Sequence, residues 1–397
     1  MKSIKTLYKI GYGPSSSHTM GPEQACLLAK KKYNNIKDIN VTLYGSLALT
    51  GVGHLTDKVI KKTLDPIACN IEFDYTTKQD HANTFKFEIN LDNNEVIIWH
   101  IISIGGGDII IKELPSDDND DSNTYSLTTF NEFKQLGSVE DIIDYLFKTE
   151  TDLDKHLEDV YNTMIDSVNR GLSSNEEVLP GKLKLKRQAK TMNRYADTKE
   201  LMLSSYAQAV SEENASGGQI VTAPTCGACG IIPAIIYFYE KNKNLNHNKI
   251  IRGLALAGLL GTLIRHNGSI SGAEAGCQAE VGSATSMGAA LISYFEGKDV
   301  DEIECSAVTG LEHQLGLTCD PVLGYVQLPC INRNAMGVVK AYMASKYASS
   351  IKQHTFSFDQ IVKVMYETGK DLNSNYRETS LGGLAKMYDL EIKEDEN

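Results

Sequence analysis

A change of hydrophobic rhythm partway along the 397 residues constrains the fold more than any other feature. In the first third the apolar runs are short and strand-like. Val41–Tyr44 reads as a strand, Phe85–Ile89 and Val96–Ile104 as an alternating or apolar β pair, and Gly45–Leu64 as a helix opened by glycine. From about Val139 onward the spacing becomes helical, as in Asp141 to Leu146 and Leu157 to Met164, interrupted by Pro180-Gly181 and later by clusters of small residues. Between the two lies Ser116-Asp117-Asp118-Asn119-Asp120-Asp121-Ser122, too polar to bury and expected to form a mobile loop or linker. The expected class is α+β: a small α/β domain at 1–135 and a larger all-α domain at 136–397.

With 42% hydrophobic residues the chain can build a substantial core, and its net charge of −12 argues against binding nucleic acid. The cations of Lys182 to Lys190 alternate with Leu183 and Leu185, which suits a solvated or substrate-facing edge. Residues 1–9 lack the apolar core of a signal peptide, and the longest apolar stretch, Leu254 to Ile264, contains glycine and is too short to span a bilayer. A cytoplasmic protein with no membrane contact is expected, its eight cysteines reduced. Gly, Ala and Ser crowd Ser216–Gly218, Gly227–Gly230 and Gly272–Gly282, which lets helices approach closely. No period of 20 to 50 residues marks a solenoid.

Three cysteines, Cys277, Cys319 and Cys330, sit in segments rich in Gly, Pro and hydrogen-bonding side chains. A metal cluster is one reading of them. Iron–sulfur clusters usually have four thiolate ligands, so three would leave one iron open as a Lewis acid. Separations of 42 and 11 positions fit neither a compact ferredoxin run nor a zinc finger, so these thiols can meet only through the tertiary fold. Cys226 and Cys229 form a C-x-x-C, readable as a redox pair or half a zinc site. No second C-x-x-C completes it, and its glycine-rich turn before the apolar helix Ile231–Tyr237 suggests a tight backbone approach instead. Cys26, Cys69 and Cys305 read as small buried residues.

Gly11 to Thr19 combines flexible backbone, three hydroxyls and a histidine. That is either an anion nest for a carboxylate or a capping turn before the helix near Gly21, and the two readings are compatible. Asp57, three residues after His54 on a helix, would share its face and fix its tautomer, as a general base requires; a structural histidine is the alternative. His81, His100, His156, His247 and His354 read as surface or core residues. Gly105-Gly106-Gly107 invites comparison with pyridoxal-phosphate loops, but the nearest lysine, Lys112, lacks a supporting motif.

Taken together, these segments resemble the bacterial-type iron–sulfur L-serine dehydratases in single-chain form. The motifs are Gly13 to Thr19, Leu43 to Ala48, Gly53-His54 with Thr56-Asp57, Ser103 to Gly107, Leu179 to Gly181, Ala223 to Thr225, Ser271 to Val281, Glu312-His313 with Leu315 to Pro321, Gln327 to Ala335, Tyr376 with Glu378 to Ser380, and Gly382 to Leu384. The resemblance implies an N-terminal α/β part similar to the allosteric substrate-binding domain of some phosphoglycerate dehydrogenases, followed by a helical part carrying a [4Fe-4S] cluster with one open iron on Cys277, Cys319 and Cys330. It also implies L-serine as substrate, β-elimination of water to pyruvate and ammonia, and His54 as base oriented by Asp57. Ser15, Ser16, Ser17, His18 and Arg333 become candidates to bind substrate, and no pyridoxal phosphate is expected. A homodimer is the default expectation. Some family members carry a C-terminal cysteine that caps the open iron, whereas this sequence runs Lys393-Glu394-Asp395-Glu396-Asn397 with no cysteine past Cys330, so such a cap is not expected. A serine sensor without catalysis is the alternative of another class; the three cysteines and His54 argue against it.

Overall fold

The computed structural model describes residues 1–114, 124–351 and 354–388. The acidic stretch Ser116–Ser122 and the terminal Lys393–Asn397 fall outside them. Near the N-terminus β1 (Ile10–Tyr12) leads into a wide turn, Ser16–Met20, and the helix Gly21–Lys32. The main sheet comprises β2 (Ile36–Tyr44), β3 (Ala68–Asp74), β4 (Thr84–Leu91), β5 (Val96–Gly105) and β6 (Asp108–Ile111), in the order β3-β2-β4-β5-β6. Only β2 and β3 run parallel, which requires a helical crossover between them. The crossover is two helices, Gly45–Thr50 and Thr56–Leu64, rather than the single helix expected over Gly45–Leu64. Leu55 takes the left-handed conformation at φ 60° and breaks the axis just after His54.

One face of this sheet packs against the helices. Ile39, Val41 and Leu43, Phe85, Phe87 and Ile89, and Trp99 and Ile101 alternate inward and close over Ala25, Cys26, Ala29, Ile60 and Leu64. The opposite face is open, with Ile98 and Ile110 exposed.

The rest of the chain is helical, as the all-α expectation has it. Every residue of the helix Ser283–Phe295 is buried, and His247–Asn267 buries the apolar run Leu254–Ile264. Among the described residues no helix is long and apolar enough to cross a membrane. The first residues belong to this second core: Ile4, Leu7 and Tyr8 pack with Tyr125, Phe130 and Phe133 and the helices. The Met1 ammonium donates to the Tyr125 carbonyl (2.7 Å), and β1 pairs antiparallel with β7 (Gln219–Val221). The chain therefore threads from the helical core through the sheet and back, which sets Ser15–Met20 at the joint between the two cores.

Trp99 fills the sheet core completely. Trp99→Ala should cost about 3–5 kcal/mol in denaturant unfolding, whereas a loss under about 1 kcal/mol would show that this core is not closed as described.

Candidate functional site

The turn Ser16–Met20 opens on Ser15, whose hydroxyl accepts from the His18 backbone N–H (3.2 Å), so the capping turn is real. It buries His18 completely and brings its ring to that of His54, stacked at 4.2 Å and 23°. Between them stands a residue assigned no role from sequence. Glu378 Oε1 lies 3.6 Å from His18 Nδ1 and 3.5 Å from His54 Nε2, with all three side chains buried. Burial alone would raise the Glu378 carboxyl, but His18 and His54 outweigh it and hold it below its ordinary value.

Hydrogen-bond bookkeeping assigns the tautomers. His54 Nδ1 faces the Thr50 carbonyl at 3.0 Å, which only accepts, so Nδ1 carries a hydrogen and Nε2 is the nitrogen turned to Glu378. His18 Nε2 lies 3.1 Å from Ser46 Oγ and 3.0 Å from Thr50 Oγ1. Both hydroxyls spend their single protons elsewhere, Ser46 on the Glu378 carbonyl (2.7 Å) and Thr50 on the Ser46 carbonyl (2.8 Å). His18 Nε2 therefore donates, and its Nδ1 accepts from Ser17 Oγ (2.9 Å). Burial lowers His18 from 6.5 to about 4 despite the nearby Glu378 charge, so this ring is neutral at neutral pH.

Among the described residues Asp57 makes no hydrogen bond to His54. The break at Leu55 separates them, and Asp57 instead lines a cavity of about 180 Å³ with Pro14, Gly53, Tyr325 and Gln327. The groups that hold the ring are the Thr50 carbonyl and Glu378. Arg333 is committed too: it donates to the Thr318 carbonyl, to Asp320 (2.9 Å) and to the Cys277 sulfur, which leaves its guanidinium poorly placed to hold a carboxylate.

The three cysteines converge from separate elements. Cys277 follows the short helix Gly272–Ala275, Cys319 lies in the loop after Val300–Glu312, and Cys330 starts Cys330–Ile351. Cys277 and Cys319 are buried, Cys330 is half-buried, and none forms a disulfide. Burial raises all three thiols, Cys277 to about 11, and the sulfurs are close enough for their charges to oppose one another; Arg333 is the cation that relieves them. A Cβ on Gly272 would come within 3.0 Å of Cys319 Sγ and 2.6 Å of Glu280 Oε2, so the glycine keeps that sulfur uncovered. Three soft sulfur donors beside a guanidinium suit a cluster of iron and sulfide. Cys226 and Cys229 are fully buried, and Cys226 meets Met20, which suits packing. His100 and His247 pair with surface carboxylates.

One backbone step joins the two groups of residues. Cys319 N–H donates to the Tyr376 carbonyl and Glu378 N–H donates to the Cys319 carbonyl, both at 2.7 Å. Glu378 also adopts φ 57°, unusual for a residue with a side chain. Glu378-Thr379-Ser380 stands out in the sequence as a motif, but nothing local there points to histidines more than 300 positions away.

Two family models match the chain: the serine dehydratase alpha chain over residues 57–385 and the serine dehydratase beta chain over residues 3–70. Among curated proteins, the chain is 35% identical to an L-serine dehydratase of Helicobacter pylori, with 97% of this chain and 98% of that protein covered. It is 36% identical to L-serine dehydratase 2 of Escherichia coli over 97% and 98%, and 34% identical to an L-serine dehydratase of Streptomyces coelicolor over 96% and 98%. With both parts matched in order and nearly the whole length covered, the chain belongs to the serine dehydratase family.

Proposed function

We propose that this protein is an L-serine ammonia-lyase that holds an iron–sulfur cluster on Cys277, Cys319 and Cys330 and uses His54 as the base. The observation that carries this reading is the backbone link from Cys319 to Glu378, which ties the three-thiol site to the carboxylate that faces His54 Nε2.

The Cα proton of serine is weakly acidic and hydroxide leaves poorly, so elimination needs a base and an electrophile together. When bound, a [4Fe-4S] cluster with one open iron supplies the electrophile for the departing hydroxyl. His54 Nε2 takes the Cα proton while the Thr50 carbonyl holds the opposite side of the ring, and Glu378 balances the imidazolium charge. His18, kept neutral, adds no second positive charge to the stack, and with Ser17 it lines the substrate side. The eliminated product is aminoacrylate, which becomes the imine and hydrolyses to pyruvate and ammonia without the protein. Arg333 serves the thiolates rather than the substrate.

Pyruvate release from L-serine by anaerobically purified protein, with iron and sulfide measured in the same sample, tests the whole scheme. Pyruvate should track about four irons per chain; pyruvate from iron-free protein would overturn it. Cys277→Ser, Cys319→Ser and Cys330→Ser should each abolish iron retention and the dithionite-bleached absorbance, while Cys226→Ser keeps both.

His54→Ala should retain iron and lower kcat by about 10²–10⁴-fold. Glu378→Gln should lower kcat by about a hundredfold with iron retained, and Asp57→Asn should stay within about threefold of the parent. Equal losses for Asp57→Asn and Glu378→Gln would restore Asp57 as the orienting group.

The neutral His18 also predicts a pH dependence of stability. Between pH 6.5 and about 4 the unfolded chain binds a proton at this residue that the folded chain does not, so stability falls as pH drops through that window. The loss from this residue is about 3 kcal/mol, and His18→Gln should remove it from the pH profile of unfolding; an unchanged profile would mean that His18 is protonated in the fold.

A further inference from the structure

We propose that a cavity in the helical part, away from the histidine stack, binds a small organic cation, a primary ammonium carried on an apolar chain, with Glu212 as its counter-ion. The site stands apart from the elimination reading and does not rest on it. The cavity measures about 410 Å³ and is walled by residues of the turn 178–186 and of the helices Ala189–Tyr195, Lys199–Ala215 and Cys330–Ile351. None of its lining residues belongs to the histidine stack or to the three thiols. On Lys199–Ala215, Leu201, Ser204, Gln208 and Glu212 recur every three or four positions, so one helix face supplies one wall. Leu328, Ile331 and Met336 supply a second, and Leu179 and Leu185 a third. Leu179 and Ile331 form with Ala215 a small apolar cluster distinct from both large cores, and Leu185 packs on it. The alternating Leu183 and Leu185 of the basic segment thus have a structural outcome: Leu183 is buried and Leu185 lines the cavity.

Within this apolar lining Glu212 is only 1% exposed. Its Oε1 accepts from the Gln188 N–H (2.7 Å), the Ala189 N–H (3.2 Å) and Gln208 Nε2 (3.0 Å). Its Oε2 is buried with no hydrogen-bond partner among the described residues. Buried polar atoms are nearly always paired, and an unpaired carboxylate oxygen is among the most costly to leave so. Capping the helix Ala189–Tyr195 does not account for it, because a glutamine would accept the same three hydrogen bonds through Oε1 and bury no charge. Arg187 acts on Glu212, but it donates to Glu176, Glu213 and Ser216 instead. Burial is the largest influence on the Glu212 carboxyl and raises it, a cost that an arriving cation offsets.

The missing partner is therefore a positively charged donor. An ammonium pairs Oε2 and also suits Gln208, whose nitrogen faces Glu212 and whose oxygen is left as a second acceptor. The leucines, Ile331 and Met336 suit an aliphatic chain behind it. Lys186, exposed and lining the same cavity, suits a carboxylate on the ligand. The shared chemistry comes from two sources, an apolar amino acid or a free alkylamine.

Calorimetric titration of the iron-loaded protein with L-norleucine, n-pentylamine and hexanoate tests this. The first carries ammonium and carboxylate on an apolar chain, the second only the ammonium, the third only the carboxylate. L-Norleucine or n-pentylamine should bind with a dissociation constant of about 1 mM or tighter. Tighter binding of L-norleucine assigns an amino acid, and equal or tighter binding of n-pentylamine a free amine. In Glu212→Gln the affinity for the bound probe should fall about tenfold or more, while the unfolding midpoint without ligand holds or rises. No binding of either ammonium probe to the parent would overturn the proposal. So would equal affinity in parent and Glu212→Gln, which places the probe elsewhere, or hexanoate binding as tightly as L-norleucine. Should Glu212→Gln fail to fold, Met192→Trp fills the cavity from a half-buried wall and should abolish binding; unchanged affinity in that variant would sink the site.

Discussion

The site depends on a single step of parallel backbone pairing between Cys319 and the segment Tyr376–Glu378. Its hydrogen bonds fix a sulfur ligand and a carboxylate relative to one another through main chain rather than through flexible side chains. Asp320, the next residue, extends the lock in both directions. Its carboxylate accepts from Arg333 at 2.9 Å and from the Leu384 backbone at 2.8 Å, so the guanidinium beside the thiols and the turn that carries Glu378 share one anchor. A catalytic group misplaced by about an ångström loses much of its effect, and this pairing removes that freedom.

Charge explains why the cysteines need more than proximity. Three thiols, Asp320 and Glu280 gather around the guanidinium of Arg333. Burial, then the Glu378 charge, pushes the Glu280 carboxyl up; after burial, Cys319 is pushed up by Glu280 and Glu378, and Cys330 by Cys277 and then Glu280. One cation cannot balance five anions in a low-dielectric site, so the thiols hold their protons until a metal centre supplies positive charge. Binding there is therefore coupled to proton release, a general feature of thiolate sites. The same arithmetic makes Arg333 more useful as a neighbour of the sulfurs than as a clamp for substrate.

How much was legible in the sequence follows from how local each signal is. The cysteines, the Ser15–His18 turn and His54 sit in short, chemically unusual segments, and the change of periodicity is enough to foresee an α/β part followed by a helical one. The expectation for Asp57 rested on a shared face, which three-residue spacing gives only on an unbroken helix, and Leu55 interrupts it. Glu378 escaped because its partners are supplied by two turns more than 300 residues earlier.

The residues that break ordinary folding rules are concentrated where the chemistry is expected. His18 is buried and neutral, and Glu378 is held at positive φ. Each could be relieved by a substitution that leaves the surrounding core intact, and each such substitution would remove something the site needs. Functional sites are where stability is given up for binding and chemistry, and the buried, strained groups His18 and Glu378 stand together at the His18–His54 stack.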